Sequence, residues 1–228
     1  MVESNKIGII AMPDISTGGG FPKVVRDLIN GLNELGKKVY FLSPFKLDKE
    51  KIAKFYGPIN VAKEYNQTGL RLKLSRENIL ARKLIKKQFR KLIKEVDLVI
   101  DTDGKVLHNY IPRGLESKYI IWRISPAKTD LDKFSNLHRS PKRKIKDLII
   151  KIMDFPKHKP SKNHKIYTLD NYTEIELMKY WNLTPEETHL YPEVDTTKLK
   201  YDKDRKKNQI VIAGRIIMCK RLDDSIKI

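Results

Sequence analysis

The chain has 228 residues, 40% of them hydrophobic and 33% charged, and carries 47 Lys plus Arg against 28 Asp plus Glu, a formal net charge of +19. That balance excludes a disordered chain, while a single cysteine, Cys219, excludes an intrachain disulfide framework and favours a reducing, cytosolic setting. No stretch approaches roughly 18 consecutive apolar residues, and MVESNKIGIIAMPD has no long apolar region after a basic one. Neither a membrane span nor a secretion signal is expected, and the excess charge calls for an anionic partner.

In chain order, Lys6–Met12 is an apolar run with paired isoleucines and reads as a buried strand. The turn-rich PDISTGGG follows, and then Val24, Val25, Leu28, Ile29, Leu32 and Leu35 mark a helix ending near Gly36. Lys38–Leu42 is a second strand, which completes a strand–glycine loop–helix–strand unit of the kind that makes a parallel crossover. Further apolar runs fit strands at Asp97–Ile100, Tyr119–Trp122 and Ile166–Leu169, with helical stretches between them. The alternation predicts an α/β fold, a doubly wound, Rossmann-like parallel sheet. Residues 1–205 form the expected domain. After the polar YDKDRKKN, residues 206–228 hold a strand at QIVIAG and a helix start at Arg221–Ile228. These either add to the preceding sheet or open a second domain.

The charge is concentrated. Residues 71–94 hold ten Lys/Arg against Glu77, and residues 138–165 hold ten against Asp147 and Asp154, which together account for 17 of the 19 net charges. Both windows have helical apolar spacing: Ile85, Phe89, Leu92 and Val96 in the first, Ile145, Leu148, Ile149, Ile152 and Met153 in the second. Each fits either a core-packed helix with a solvated outer face or a basic amphipathic helix on an anionic membrane.

Three groups of residues have the chemistry of a site. Gly18, Gly19 and Gly20 stand between a strand and a helix, where backbone N–H groups and the helix N-terminus favour an anion. Asp101 and Asp103, in VIDTDG, end another strand on the same side of a parallel sheet. They suit acid–base work, the holding of sugar hydroxyls, or a capped turn. Arg215 and Lys220, in AGRIIMCKR, follow a strand that Gly214 ends tightly, and two fixed cations there suit a diphosphate or a surface loop. His108, His138, His158, His164 and His189 form no metal-ligand spacing, so no metal is expected. RNA-recognition aromatic signatures are missing, and nucleic acid is not the expected partner.

Four ordered blocks, IGIIAMPDISTGGGFPKVVRDLINGLNELGKKVYFLS, VDLVIDTDG, YTLDNYTEIELMKYWNLTPEETHLYPEVDTTKL and IVIAGRIIMCKRLDDSIKI, resemble the front portion of a family 4 glycosyltransferase with two Rossmann-like domains. IDTDG followed by YIIWRISPAKTDL is most similar to the lipid-linked oligosaccharide mannosyltransferases of the cytosolic membrane face. The resemblance implies that 1–205 binds the acceptor and that 206–228 begins a donor domain. It implies retaining transfer of a hexosyl or mannosyl group from a nucleotide sugar to a lipid-linked or glycan acceptor, without cofactor or obligatory metal. By position, Gly18, Gly19 and Gly20 would line the cleft near the phosphates, and Arg215 and Lys220 would hold the donor diphosphate. In two places the chain departs from the pattern: WRISP has Arg123 and Ser125 but no His before Pro126, and Glu193 replaces a common proline. The family's paired-glutamate motif would lie beyond Ile228, so the expectation is an incomplete donor domain, inactive alone, with a separate chain as the candidate partner that supplies the rest. The expected location is cytoplasmic and peripheral to the membrane, through 71–94 and 138–165. The alternative is a non-enzymatic module for anionic membranes or polyanions on the same scaffold.

Overall fold

The computed structural model describes residues 5–66, 79–104, 107–124 and 164–191. Strands β1 (Lys6–Ile10), β2 (Lys38–Leu42), β3 (Lys63–Tyr65), β4 (Leu98–Asp101), β5 (Tyr119–Arg123) and β6 (Lys165–Thr168) form one parallel sheet in the order β3-β2-β1-β4-β5-β6. Successive strand side chains point to opposite faces, and this sequence gives both faces apolar groups. Ile7, Ile9, Val39, Phe41, Ile100 and Trp122 pack into one core; Ile10, Tyr40, Leu42, Val99, Tyr119 and Ile121 pack into the other. A sheet buried on both sides needs a helical layer on each.

The helices divide accordingly. α1 (Gly20–Glu34) and α2 (Lys49–Tyr56) join β1 to β2 and β2 to β3, and they bring Val25, Ile29 and Ile52 to the first core. α3 (Ile79–Glu95) returns from the β3 edge to β4 and lays Ile85, Phe89, Leu92 and Ile93 on the second. α4 (Asn171–Trp181) follows β6 and adds Leu177 to that same core. The architecture is therefore the expected doubly wound, Rossmann-like α/β sheet.

Local chemistry sets the helix ends. Asp48 caps α2 by accepting from Lys51 N–H at 3.0 Å, and Asp170 caps α4 by accepting from Thr173 N–H at 2.7 Å. α4 stops at Asn182, which adopts the left-handed conformation at φ 50°.

Boundaries shift by one or two residues from the sequence expectation. β1 stops at Ile10 rather than Met12, β4 runs to Asp101 and β5 to Arg123. β3 was not anticipated, because KEY is a three-residue edge strand in which only Tyr65 is buried. The first basic window does contain a helix, and its stripe of Ile85, Phe89 and Leu92 is buried in the core, as is Val96 just past the helix end. A core-packed helix, one of the two readings of that spacing, is what forms. The window 138–165 lies outside the described residues except for His164 and Lys165, as do the elements expected at 206–228.

Two glycines show opposite demands on space. A Cβ on Gly8 of β1 would sit 3.2 Å from Leu92 of α3, so glycine lets the helix close on the sheet. A Cβ on Gly31 of α1 would meet nothing within 4 Å. Gly8→Val is expected to lower the unfolding free energy by about 1–3 kcal/mol through overpacking. Gly31→Ala should raise it by about 0.5–1 kcal/mol through helix propensity. Urea titrations of both variants check the two signs.

Candidate functional site

In the strand order β3-β2-β1-β4-β5-β6, the chain leaves β1 toward one edge and β4 toward the other. Loops at the carboxyl ends of these two strands part, and in open parallel sheets that crevice is where ligands bind. Gly18–Gly20 and Asp101–Gly104 flank it. The structure thus brings two of the three sequence-identified groups to one crevice, while Arg215 and Lys220 lie outside the described residues.

The glycine loop is built from short local bonds. Asp14 Oδ1 accepts from Ser16 N–H at 2.9 Å, and Thr17 Oγ1 donates to the Asp14 carbonyl at 2.9 Å. Ser16 Oγ accepts from Asp48 N–H at 3.1 Å, which ties the loop to the start of α2. Of the three glycines only Gly19 has a backbone that demands glycine, at φ 144°. Gly20 is the first residue of α1 and has open space around its Cβ position. No side chain caps α1 and no acid stands in its first turn, so its N-terminal dipole faces the crevice uncompensated.

Sequence reasoning missed Tyr56. From the end of α2 its hydroxyl accepts from Gly19 N–H and approaches the Gly19 carbonyl at 2.9 Å and the Thr17 carbonyl at 3.3 Å. Arg26 of α1 fixes Tyr56 in turn, donating to its carbonyl while also bonding Asp27. Asp27 pairs with Lys23 at 2.5 Å. The clamp joins residues 37 positions apart, which no local spacing announces.

On the other wall, Asp101 ends β4 and is 1% exposed. Its Oδ1 accepts from Asp103 N–H at 3.0 Å and Gly104 N–H at 2.9 Å, and its Oδ2 accepts from the Tyr119 hydroxyl. Both carboxylate oxygens are engaged in making the turn, the last of the three roles that the spacing suggested. Gly104 is required twice over: its φ is +60°, and a Cβ would fall 2.5 Å from Ile121 Cγ2. Burial pushes the Asp101 carboxyl above its ordinary value, against the pull of the Gly104 N–H, the Tyr119 hydroxyl and the Asp103 N–H. Burial also raises the Tyr119 hydroxyl well above its usual value, with the Asp101 charge acting in the same direction.

Asp103 is buried as well, close to Arg123. Arg123 is 1% exposed at the carboxyl end of β5, donates through Nη1 to the Asp103 carbonyl, and lies 4.9 Å from the Trp181 ring of α4. Burial lowers its pKa, and the charges of Asp103 and Asp101 oppose that shift. The signal was present in YIIWR, an apolar strand that ends on a cation.

The rings of His108 and His164 meet at 6.0 Å, with His164 5.8 Å from Tyr119, and burial lowers the His164 pKa. Among the described residues, no three His, Cys, Asp or Glu side chains are placed together to hold a metal.

Compared with protein-family models and with curated proteins, the chain matches none.

Tyr56→Phe removes the clamp on Gly19 and should cost about 1 kcal/mol of stability. Hydrogen exchange at the Gly19 amide should speed up selectively, and unchanged exchange would show that the clamp does not hold the loop. A second expectation concerns pH. The raised Asp101 pKa means that the folded protein holds this proton more tightly than the unfolded chain does. Its contribution to stability is therefore largest below about pH 4 and is lost as pH rises through the raised value. The difference in unfolding free energy between wild type and Asp101→Asn should accordingly fall with rising pH, measured by urea titration at several pH values.

Proposed function

We propose that the described residues are the acceptor-side domain of a retaining glycosyltransferase. It moves a hexosyl, most simply mannosyl, group from a nucleotide sugar to a lipid-linked or glycan acceptor at the cytosolic membrane face. The observation that carries this reading is the pairing of an uncapped α1 N-terminus behind Gly19 with the Asp101–Gly104 turn across one switch-point crevice. The first wall offers backbone N–H groups and a positive dipole end to anionic oxygens. The second is a turn that is buried and bonded within itself, and it fixes the far side of the crevice rigidly.

The four sequence blocks that resemble the glycosyltransferase family support the same reading. In it the work of catalysis is electrostatic: fixed dipoles and cations meet charge developing on the leaving nucleotide diphosphate. Arg215 and Lys220 are proposed to supply the cations. Asp101 acts as a positioning residue that holds the turn, and Arg123 braces that turn from behind. No helix among the described residues is long and apolar enough to cross a membrane, and peripheral attachment is part of the proposal.

The test is transfer of labelled hexose from a panel of nucleotide sugars to lipid-linked glycan in membranes, with and without a separate chain carrying a complete donor domain. Label should reach the lipid fraction. Gly19→Val, which the φ of 144° does not tolerate, should cut transfer on the order of 100-fold by misplacing the loop. No transfer from any donor under either condition would overturn the reading.

A further inference from the structure

We propose that the outward face of α3 docks on an anionic lipid leaflet by charge alone, without inserting into it. Lys83, Lys87 and Lys91 form one row at i, i+4 and i+8, and Lys86, Arg90 and Lys94 form a second row beside it. Together these six line an open furrow of about 330 Å³. All but Lys86 are exposed, and Lys86 lies over the Tyr110 ring at 4.8 Å.

Like charges at i, i+4 repel and destabilise a helix, and here neither row contains an acid to relieve them. The helix's own acid, Glu95, is engaged by β3: Lys63 Nζ donates to its two oxygens at 2.9 and 2.7 Å, and the Tyr65 hydroxyl bonds it too. With Glu64 it lines a neighbouring hollow that Lys91 and Lys94 share, so the acids meet only the last turn of the rows. α3 persists because its other half is held by the core, where Ile85, Phe89, Leu92 and Ile93 are all 0% exposed. The same burial decides how the helix can meet a membrane. An interfacial helix normally sinks its apolar face among the acyl chains, but this face is committed to the sheet. Only the cations remain, so the contact is electrostatic.

The shape favours a lipid surface over other anions. From Lys83 to Lys94 the rows run roughly 16 Å along one straight helix. The furrow between them is open and lined by no group other than these cations, so an extended anionic surface can meet both rows at once. Base stacking needs exposed aromatic rings, and the ring on this face, Tyr110, sits beneath Lys86. α3 also runs antiparallel to the strands, from the carboxyl end of β3 to the start of β4, so Lys83 lies toward the crevice end. Docked on this face, the sheet would open its crevice along the leaflet rather than away from it. The proposal deepens the reading of a lipid-linked acceptor, yet its test needs no sugar donor, so either can fail alone.

The experiment measures binding of the full chain to phosphatidylcholine vesicles with and without phosphatidylserine. Two triple variants accompany it: Lys87→Gln, Arg90→Gln, Lys91→Gln on α3, and Lys46→Gln, Lys51→Gln, Lys54→Gln around α2 on the opposite side of the sheet. Wild type should bind only the anionic vesicles and release as salt shortens the screening length from about 10 Å at 0.1 M to about 3 Å at 1 M. Each cation near the leaflet is worth roughly five-fold in partitioning, so the α3 triple should lose on the order of 100-fold. The α2 triple, with the same net charge, should lose less than about ten-fold. The α3 triple should melt at or above the wild-type temperature, since repulsion has been removed. Should it not fold, Lys87→Gln and Lys91→Gln singly should each show the roughly five-fold loss. Equal losses in the two triples, equal binding to neutral vesicles, or binding that resists salt would overturn the proposal. So would displacement of the vesicles by an RNA homopolymer at matched salt, which would make nucleic acid the partner.

Discussion

The carbonyl oxygen of Ile10 accepts two hydrogen bonds from Thr102, from the backbone N–H at 3.0 Å and from the hydroxyl at 2.8 Å. Through it the last residue of β1 is joined to the first residue after β4. The join sits where the strand order reverses, so the two loops that leave it go opposite ways while their roots stay in register. Thr102 is 0% exposed, and both its donors would be costly to leave unmatched. The glycine loop and the aspartate turn are each held by their own local bonds. Their relation to one another rests on this shared oxygen and on the β1–β4 ladder.

The aspartate wall is an unusual use of charge. Asp101, Asp103 and Arg123 are all buried, and removing such groups from water costs several kcal/mol per ion before any attraction is counted. What the ions supply is geometry: Asp101 fixes two N–H groups and the Tyr119 hydroxyl, and Arg123 fixes the next carbonyl and reaches across to Trp181. The Tyr119 ring packs at 5.9 Å, edge on, against Phe89 of α3, so the turn is also keyed to the second core. The glycine wall differs in kind. Its principal tertiary tether is one neutral hydroxyl from Tyr56, a weaker hold that a competing anionic oxygen can replace. One wall is thus held by several buried bonds and the other chiefly by one hydroxyl.

Most of the sheet was legible in the sequence because parallel strands buried on both faces read as continuous apolar runs. IGII, KVYFL, LVI and YIIW needed only counting. KEY at Lys63–Tyr65 has no such run, because an edge strand buries little. The stripe on α3 was legible as helical but not as core or membrane-facing. Periodicity reports which residues share a face and says nothing of what covers it. GGG marked the loop between β1 and α1, yet the choice of Gly19 as the residue under conformational demand depends on a backbone angle that composition does not encode. Tyr56 on Gly19 and His108 beside His164 are products of tertiary folding between positions far apart in the chain.

α3 shows how one sequence segment can carry two physical tasks without conflict. Its apolar positions are sufficient for the core: Leu92 fits over Gly8, and Phe89 meets Tyr119. Of its polar positions, Lys86 covers the Tyr110 ring and Glu95 holds Lys63 and Tyr65, while a neutral or mixed-charge outer face would make a more stable helix than two rows of cations do. Lys and Glu would serve equally for solubility, and alternating them would add favourable i, i+4 pairs. Six cations over three turns, Gln88 being the one other polar residue among them, exceed what the fold itself asks for. Internal packing fixes where α3 lies, and that position fixes the direction in which the uncompensated charge faces. The charge is thereby oriented relative to the crevice, and an oriented charge selects a geometry of approach as well as a partner.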